Sequence, residues 1–423
     1  MDIPPRITVI TAVRTLLGVA LLCSSMSAVA QPVIGPEVVS GRLAASAAPS
    51  VAMARDRSGV VIAWNMPAND VERVYLSRLD ATGHAIGSTV IAPVAMSASD
   101  AYGASIAAAP DGDGFVLAWL ETPRFGSALS TLLYCELDSA LQPSTPVVLA
   151  SLLPAPVAPP IVRSGASTWI TAAPRLWKIR GDGVVEGPTE VPFIASDMTI
   201  ADTPQLIAMP DTVQFRMLDG CVSPATCQAE GGVAVPSFCR SGVACRVSSH
   251  TAQLQFLALL WTNQTLRFDF AGRSGAAAIE NNGRETLVVW LNGPQKGNGD
   301  VVAARLEPAE RFSIANATSQ VIGRFTADDE PSRPDIAADG ERFVIVWRAR
   351  TADGTHDIAG VALDREGRVT ALQIPSTPGD ERDPSVIAIG NGTFLVGYEQ
   401  LESGERHIAG RLISFGARHR IAE

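Results

Sequence analysis

The chain has 423 residues, 33 Lys and Arg against 43 Asp and Glu, and a net charge of −10. An acidic balance excludes the basic surface that nucleic acid and anionic lipid select for, so neither is expected as a partner. With 47% hydrophobic but only 18% charged residues, 36 Gly and 29 Pro, the composition is that of an all-β chain rich in turns.

Residues 1–30 read as an export signal. Arg6 and Arg14 supply positive charge, Leu16 to Leu22 form a short apolar core, and Ala28-Val29-Ala30 is a small-residue cleavage site. The core is too short for a membrane span, and no later run approaches one. Cys23 opens the alternative of lipid anchoring, but Leu22 stands where a lipoprotein signal wants a small residue. The mature protein is expected to be exported, periplasmic or extracellular, with residues 31–423 forming a single domain.

Aligning the chain on aromatic residues brings out a repeat. "SVAMARDRSGVVIAW" ends at Trp64, "SIAAAPDGDGFVLAW" at Trp119, "AAIENNGRETLVVW" at Trp290, "DIAADGERFVIVW" at Trp347 and "SVIAIGNGTFLVGY" at Tyr398. Each is a short strand, a Gly-containing turn and a strongly apolar strand ending in an aromatic. A third strand follows, as in "VYLSRLDATG" after Trp64 and "DIAGVALDREG" after Trp347, and a fourth, as in "IGSTVIA" (86–92) and "PSTPVVLA" (143–150). Four antiparallel strands repeating every 51 to 57 residues describe a β-propeller blade.

Between Trp119 and Trp290 the repeat weakens. "WITAAPRLWKIRGDG" (169–183), "LIAMPDTVQFRMLDG" (206–220) and "LALLWTNQTLRFDFAG" (257–272) each read as the central hairpin of a compact blade. Counting strands this way favours eight blades, whereas the regular spacing gives seven. The final unit supplies three strands, "SVIAI", "TFLVGYE" and "HIAGRLIS", and "IGPEVVS" (34–40) matches the missing fourth. The N-terminal strand is therefore expected to complete the last blade and close the ring.

The unit "RPDIAADGERFVIVWRARTADGTHDIAGVALDREG" (333–367) resembles those of secreted bacterial β-propeller and adhesin-type repeat proteins. The likeness covers about 30–150 and 276–423 well and 151–275 poorly. It implies a fold and export, and it brings no catalytic residues with it.

Five cysteines follow the signal, four of them in "CVSPATC" (221–227) and "CRSGVAC" (239–245). In an oxidising compartment, Cys221 with Cys227 and Cys239 with Cys245 are expected as local disulfides. Zinc hairpins use two to four intervening residues, and these pairs have five. Cys135, inside the apolar "LLYCELD", reads as a buried inert thiol.

For chemistry the sequence offers little. In "PDGDG" (110–114), Asp111 and Asp113 invite a calcium reading, but strand resumes at Phe115 and an Asp-Gly turn explains them. The five histidines lack ligand spacing, and there is no nucleophile elbow or phosphate loop, so no cofactor, metal or catalytic residue is expected. A glycosidase needs two facing carboxylates, and no pair stands out. The Asp-box turns of sialidases and the Trp-docking repeats of quinone-dependent dehydrogenases are also missing.

One surface remains. Asp100, the run Asp328-Asp329-Glu330, and Asp380, Glu381 and Asp383 all precede first strands, so a ring would gather them on one rim. That rim is the candidate ligand surface, against the plainer reading of solvated loops. The expected function is non-enzymatic binding of a protein, glycan or envelope component; the alternative is a glycan-processing hydrolase or lyase.

Overall fold

The computed structural model describes residues 32–43, 52–57, 59–68, 71–80, 82–95, 99–109, 113–124, 129–153, 158–159, 161–164, 166–172, 175–190, 205–209, 212–218, 233–235, 244–246, 251–258, 262–269, 273–282, 285–293, 297–306, 318–327 and 334–416. Residues 1–30, expected from the sequence as an export signal, and Cys221, Cys227 and Cys239 lie outside them.

The described chain is all β. Six four-stranded antiparallel meanders follow one another. Sheet I comprises Ala52–Arg55, Val60–Ala68, Val71–Leu79 and Ala85–Ile91, and sheet II Ser99–Ala108, Phe115–Pro123, Ser130–Leu137 and Val147–Leu153. Sheet III comprises Ile161–Ser164, Ser167–Ala172, Arg175–Arg180 and Val185–Glu190, and sheet IV Gln205–Met209, Thr212–Leu218, Thr251–Ala258 and Thr262–Asp269. Sheet V holds Arg273–Asn281, Thr286–Gly293, Gly297–Leu306 and Thr318–Ala327, and sheet VI Asp335–Ala338, Arg342–Arg350, His356–Asp364 and Val369–Leu372.

Sheet VII has three strands from the C-terminal part, Asp380–Gly390, Thr393–Glu402 and Glu405–Ser414. Its outer position is taken by Val33–Ile34 and Val38–Leu43, which both pair antiparallel with Glu405–Ser414. Val33 lies opposite Ser414 and Leu43 opposite Arg406.

Sheet IV differs from the sequence expectation. The stretches 206–220 and 257–272 are not central hairpins of two units. They are the first and last hairpins of one sheet, joined where Phe215 lies opposite Leu257. Between them in the sequence comes a separate hairpin of Val233–Val235 with Ala244–Arg246. The two apolar stretches looked independent because this excursion separates strands that are ladder neighbours.

The sheets stack face to face, and alternation along the second strands shows how. In sheet II, Phe115, Leu117 and Trp119 join Val61, Ala63, Val74 and Leu76 of sheet I. The intervening Val116, Ala118 and Leu120 join Ile170, Trp177 and Ile179 of sheet III. Phe343, Ile345 and Trp347 of sheet VI face sheet V, while Val344 and Val346 meet Phe394, Val396 and Tyr398 of sheet VII. Leu395 and Ile408 of sheet VII pack with Val60, Ile62 and Trp64 of sheet I. Each first strand also contacts the first strand of the next sheet, through to sheet VII, whose first strand contacts that of sheet I. This arrangement fits a β-propeller.

The N-terminal segment is fastened by a polar contact as well as by its ladder. Glu37 accepts hydrogen bonds from the Tyr398 hydroxyl, from Gln400 Nε2 at 3.4 Å and from Arg411 Nη2 at 3.3 Å. Deleting residues 32–43 removes that anchor and uncovers the edge of Glu405–Ser414. Calorimetry should show melting lowered by about 5 °C or more; an unchanged melt would mean the segment contributes nothing to stability.

Candidate functional site

Strand direction fixes which residues share an end of the stack. In an antiparallel meander the first strand starts at the end where the second strand turns into the third. The acids that begin the first strands therefore lie beside the second-to-third connections. Asp100 is the second residue of the first strand of sheet II; Asp380, Glu381 and Asp383 belong to that of sheet VII. Sheets II and VII flank sheet I, so these acids occupy one end without forming one cluster. Asp328, Asp329 and Glu330 lie outside the described residues.

Three of the four described acids accept main-chain hydrogen bonds from the preceding sheet. Asp100 Oδ1 accepts the Glu72 N–H at 3.0 Å and stands 3.5 Å from Arg124. Asp380 Oδ1 accepts the His356 N–H at 2.9 Å, and Glu381 Oε2 the Ile358 N–H at 2.9 Å. The reason is a difference in strand length. In sheet VI the fourth strand pairs only with Gly360 to Leu363, leaving the start of the nine-residue third strand without a partner on that side. In sheet I the fourth strand likewise reaches only Tyr75. Backbone donors left in a half-buried seam need acceptors, and the next sheet supplies carboxylates.

Other residues stitch the sheets in the same way. Asp335 Oδ2 accepts the Val386 N–H at 2.8 Å. At the opposite end Asp56 accepts its own turn's Gly59 N–H and the Gly114 N–H of sheet II, both at 2.9 Å. Gly114 has φ +109°, and a Cβ there would stand 2.2 Å from the Leu137 carbonyl oxygen, so that turn requires glycine. Glu121, fully buried, accepts from the Ala95 N–H, the Ser99 hydroxyl and the Trp119 indole. It was legible only as an acid at the end of the apolar run "FVLAWLE".

Electrostatics separates these carboxyls. Burial works against ionising Asp380, but the hydrogen bonds from His356 and Arg382 and the Arg382 charge outweigh it and hold the group below its ordinary range. Burial pushes Glu381 up to about 7, against the hydrogen bonds from Ile358 and Thr377. Burial also pushes Glu399 up to about 7, against the charge of Arg406, whose Nη1 lies 2.9 Å away. Sequence reading missed Glu399, which sits beside the aromatic end of its strand and carries no pattern of its own.

Among the described residues no group of three His, Cys, Asp or Glu could hold a metal ion. Asp113 is exposed and 3.8 Å from Arg57; Asp111 lies outside the described residues. Cys135 is buried and free, its thiol pushed up to about 12 by burial and then by Glu136, so it is not a nucleophile at neutral pH. Cys245 falls on the excursion hairpin opposite Ala234.

No family model matches the chain, and no curated protein does. Among solved structures it is similar to a protein of unknown function from Dyadobacter fermentans, at 12% identity and TM-score 0.47, over 91% of this chain and all of that one. The β-propeller domain of the Trilobed protease from Pyrococcus furiosus gives 8% identity and TM-score 0.43, over 85% and 97% of the two chains. Trypanosoma rangeli sialidase gives 9% and 0.43, over 88% of this chain and 54% of the sialidase, so the chain spans about half of that enzyme. At these identities no activity transfers to this chain.

If Asp100 serves as an acceptor for the Glu72 N–H, its charge is dispensable and its oxygen is not. Asp100→Asn should leave stability within about 0.5 kcal/mol. Asp100→Ala should cost about 1–2 kcal/mol in urea unfolding, because a half-buried N–H loses its partner. Equal losses in both variants would point to the charge instead.

Proposed function

We propose that this chain is an exported β-propeller, a ring of seven sheets closed by its N-terminal strands. It binds a protein, glycan or envelope component through the end that carries the second-to-third connections. The sequence of residues 1–30 supports export, and the packing of sheet VII on sheet I supports closure. No helix among the described residues is long and apolar enough to cross a membrane.

One observation carries the binding reading. The second-to-third connections span residues 69–70, 124–129, 173–174, 294–296, 351–355 and 403–404 in six of the sheets, but 219–250 in sheet IV. A short connection only turns the chain. The long one carries its own hairpin and four of the five cysteines that follow the signal. Long structured connections on a rigid scaffold are where binding residues concentrate. Disulfides Cys221–Cys227 and Cys239–Cys245 would brace it at the low end of the usual gain of about 2–4 kcal/mol.

Replacing residues 219–250 by an Asn-Gly turn tests this reading. The variant should melt as one unit yet lose binding on an array of bacterial envelope glycans and basic peptides. Binding that survives the excision would move the site elsewhere. Release of reducing ends from those glycans by the intact protein would favour the hydrolase instead. Mass mapping without reduction should find the two local disulfides; pairing between the motifs, or zinc retained through dialysis, would overturn them.

A further inference from the structure

We propose that the seam where sheet VII packs on sheet I is a binding site for internal water, held between the Trp64 indole and the Glu399 carboxyl. Its occupant is an oxygen that accepts from the one and donates to the other, so these two sheets meet through water where other seams use direct bonds.

The ladders place both groups in one seam. Ile408 lies opposite Glu399 in sheet VII and packs with Val60, Ile62 and Trp64 of sheet I. Residues opposite one another in an antiparallel pair share a face, so Glu399 turns the way Ile408 does, toward Trp64. Leu395, four residues earlier on the strand that carries Glu399, joins the same cluster.

Other seams close the equivalent positions directly. Trp119 donates to Glu121 and Trp347 to the Arg324 carbonyl, both at 3.2 Å, and Tyr398 donates to Glu37. Trp64 holds the same place at the end of its apolar run and is 2% exposed, yet its N–H meets no acceptor among the described residues. Tyr75 stacks on it with 6.0 Å between ring centres, which fixes where the indole points. The residue after each aromatic turns toward the following sheet. In sheet I that residue is Asn65, whose Nδ2 donates to the Ala101 carbonyl of sheet II at 3.0 Å. In sheet VII it is Glu399, fully buried, with Arg406 Nη1 2.9 Å from one oxygen as an ion-pair partner and no hydrogen bond accepted by either oxygen. Between sheets VII and I both positions are therefore left open at once.

The two groups define their guest. Buried polar atoms without protein partners are where internal water is held. An indole N–H only donates, and a carboxylate, with about four lone-pair sites, only accepts. A metal ion or ammonium has no lone pair for the indole, and a halide has no hydrogen for the carboxylate. Arg406 already balances the charge of Glu399, so a neutral guest fits better than an ion. Water satisfies both groups, and Trp64, Glu399 and Arg406 supply the few polar neighbours such a site needs.

Nuclear magnetic resonance on the exported chain with isotope-labelled tryptophan reads the site directly, with Trp64→Phe to assign the signal. The Trp64 indole proton should show a cross-peak to long-lived water, and those of Trp119 and Trp347, bonded to protein, should not. Glu399→Gln keeps an acceptor and should retain the cross-peak, whereas Glu399→Leu should lose it. Absence of the cross-peak in the unaltered protein overturns the proposal, whether or not the variants fold. So does a cross-peak that survives in Glu399→Leu. A Trp64 signal that shifts on titration with ammonium or calcium chloride would make this a cation site and also overturn it.

Discussion

The second strands of sheets I, II, VI and VII are buried and largely apolar on both faces, and no sheet can bury both faces by itself. Residues 115 to 120 are all buried, and they divide by parity between two neighbours. At roughly 25 cal/mol per Å² of apolar surface, a face left wet costs more than a single sheet gains by forming. Stacking is thus the condition for any sheet to exist, and side-by-side repetition is the architecture that meets it. The first and last sheets face the same demand, which sheets I and VII meet through Trp64, Ile62, Leu395 and Ile408.

The aromatic ends give the stack a direction. Trp64, Trp119, Trp347 and Tyr398 each point toward the preceding sheet. Three of the polar tips find partners in the seam, Trp347 donating to the Arg324 carbonyl of sheet V, Trp119 to Glu121 of its own strand and Tyr398 to Glu37, whereas the Trp64 indole N–H is buried without one. An indole or phenol at this position brings both the large apolar ring and a polar tip that sets its depth. The carboxylates at the strand starts belong to the same logic, since staggered strand lengths leave N–H groups that stacking would bury unpaired.

Sheets I, II, V, VI and VII were legible because their second strands are long, apolar and ended by an aromatic. The N-terminal match "IGPEVVS" was legible for a similar reason, since an outer strand keeps the same sequence wherever it sits in the chain. Sheet IV was not, because a ladder joins residues by position in space and the excursion hid that Thr212–Leu218 and Thr251–Ala258 are partners. The acids were found as a set. What they do was hidden, because it depends on the fourth strand of sheet VI having four residues against nine in the third. No local pattern around Asp380 or Glu381 records that difference.

Glu37 and Tyr398 are 361 positions apart, and Glu37 and Arg411 are 374 apart. Contacts of such separation form late, because the loop they close must be ordered before they repay its entropy. A chain that emerges N-terminus first makes residues 33–43 before any other strand and the hairpin they complete after all the rest. Through that whole interval the segment has an unsatisfied ladder and no partner, the state in which strands join the wrong chain. Completion of this sheet therefore has to wait until the C-terminal hairpin exists for the N-terminal strands to join.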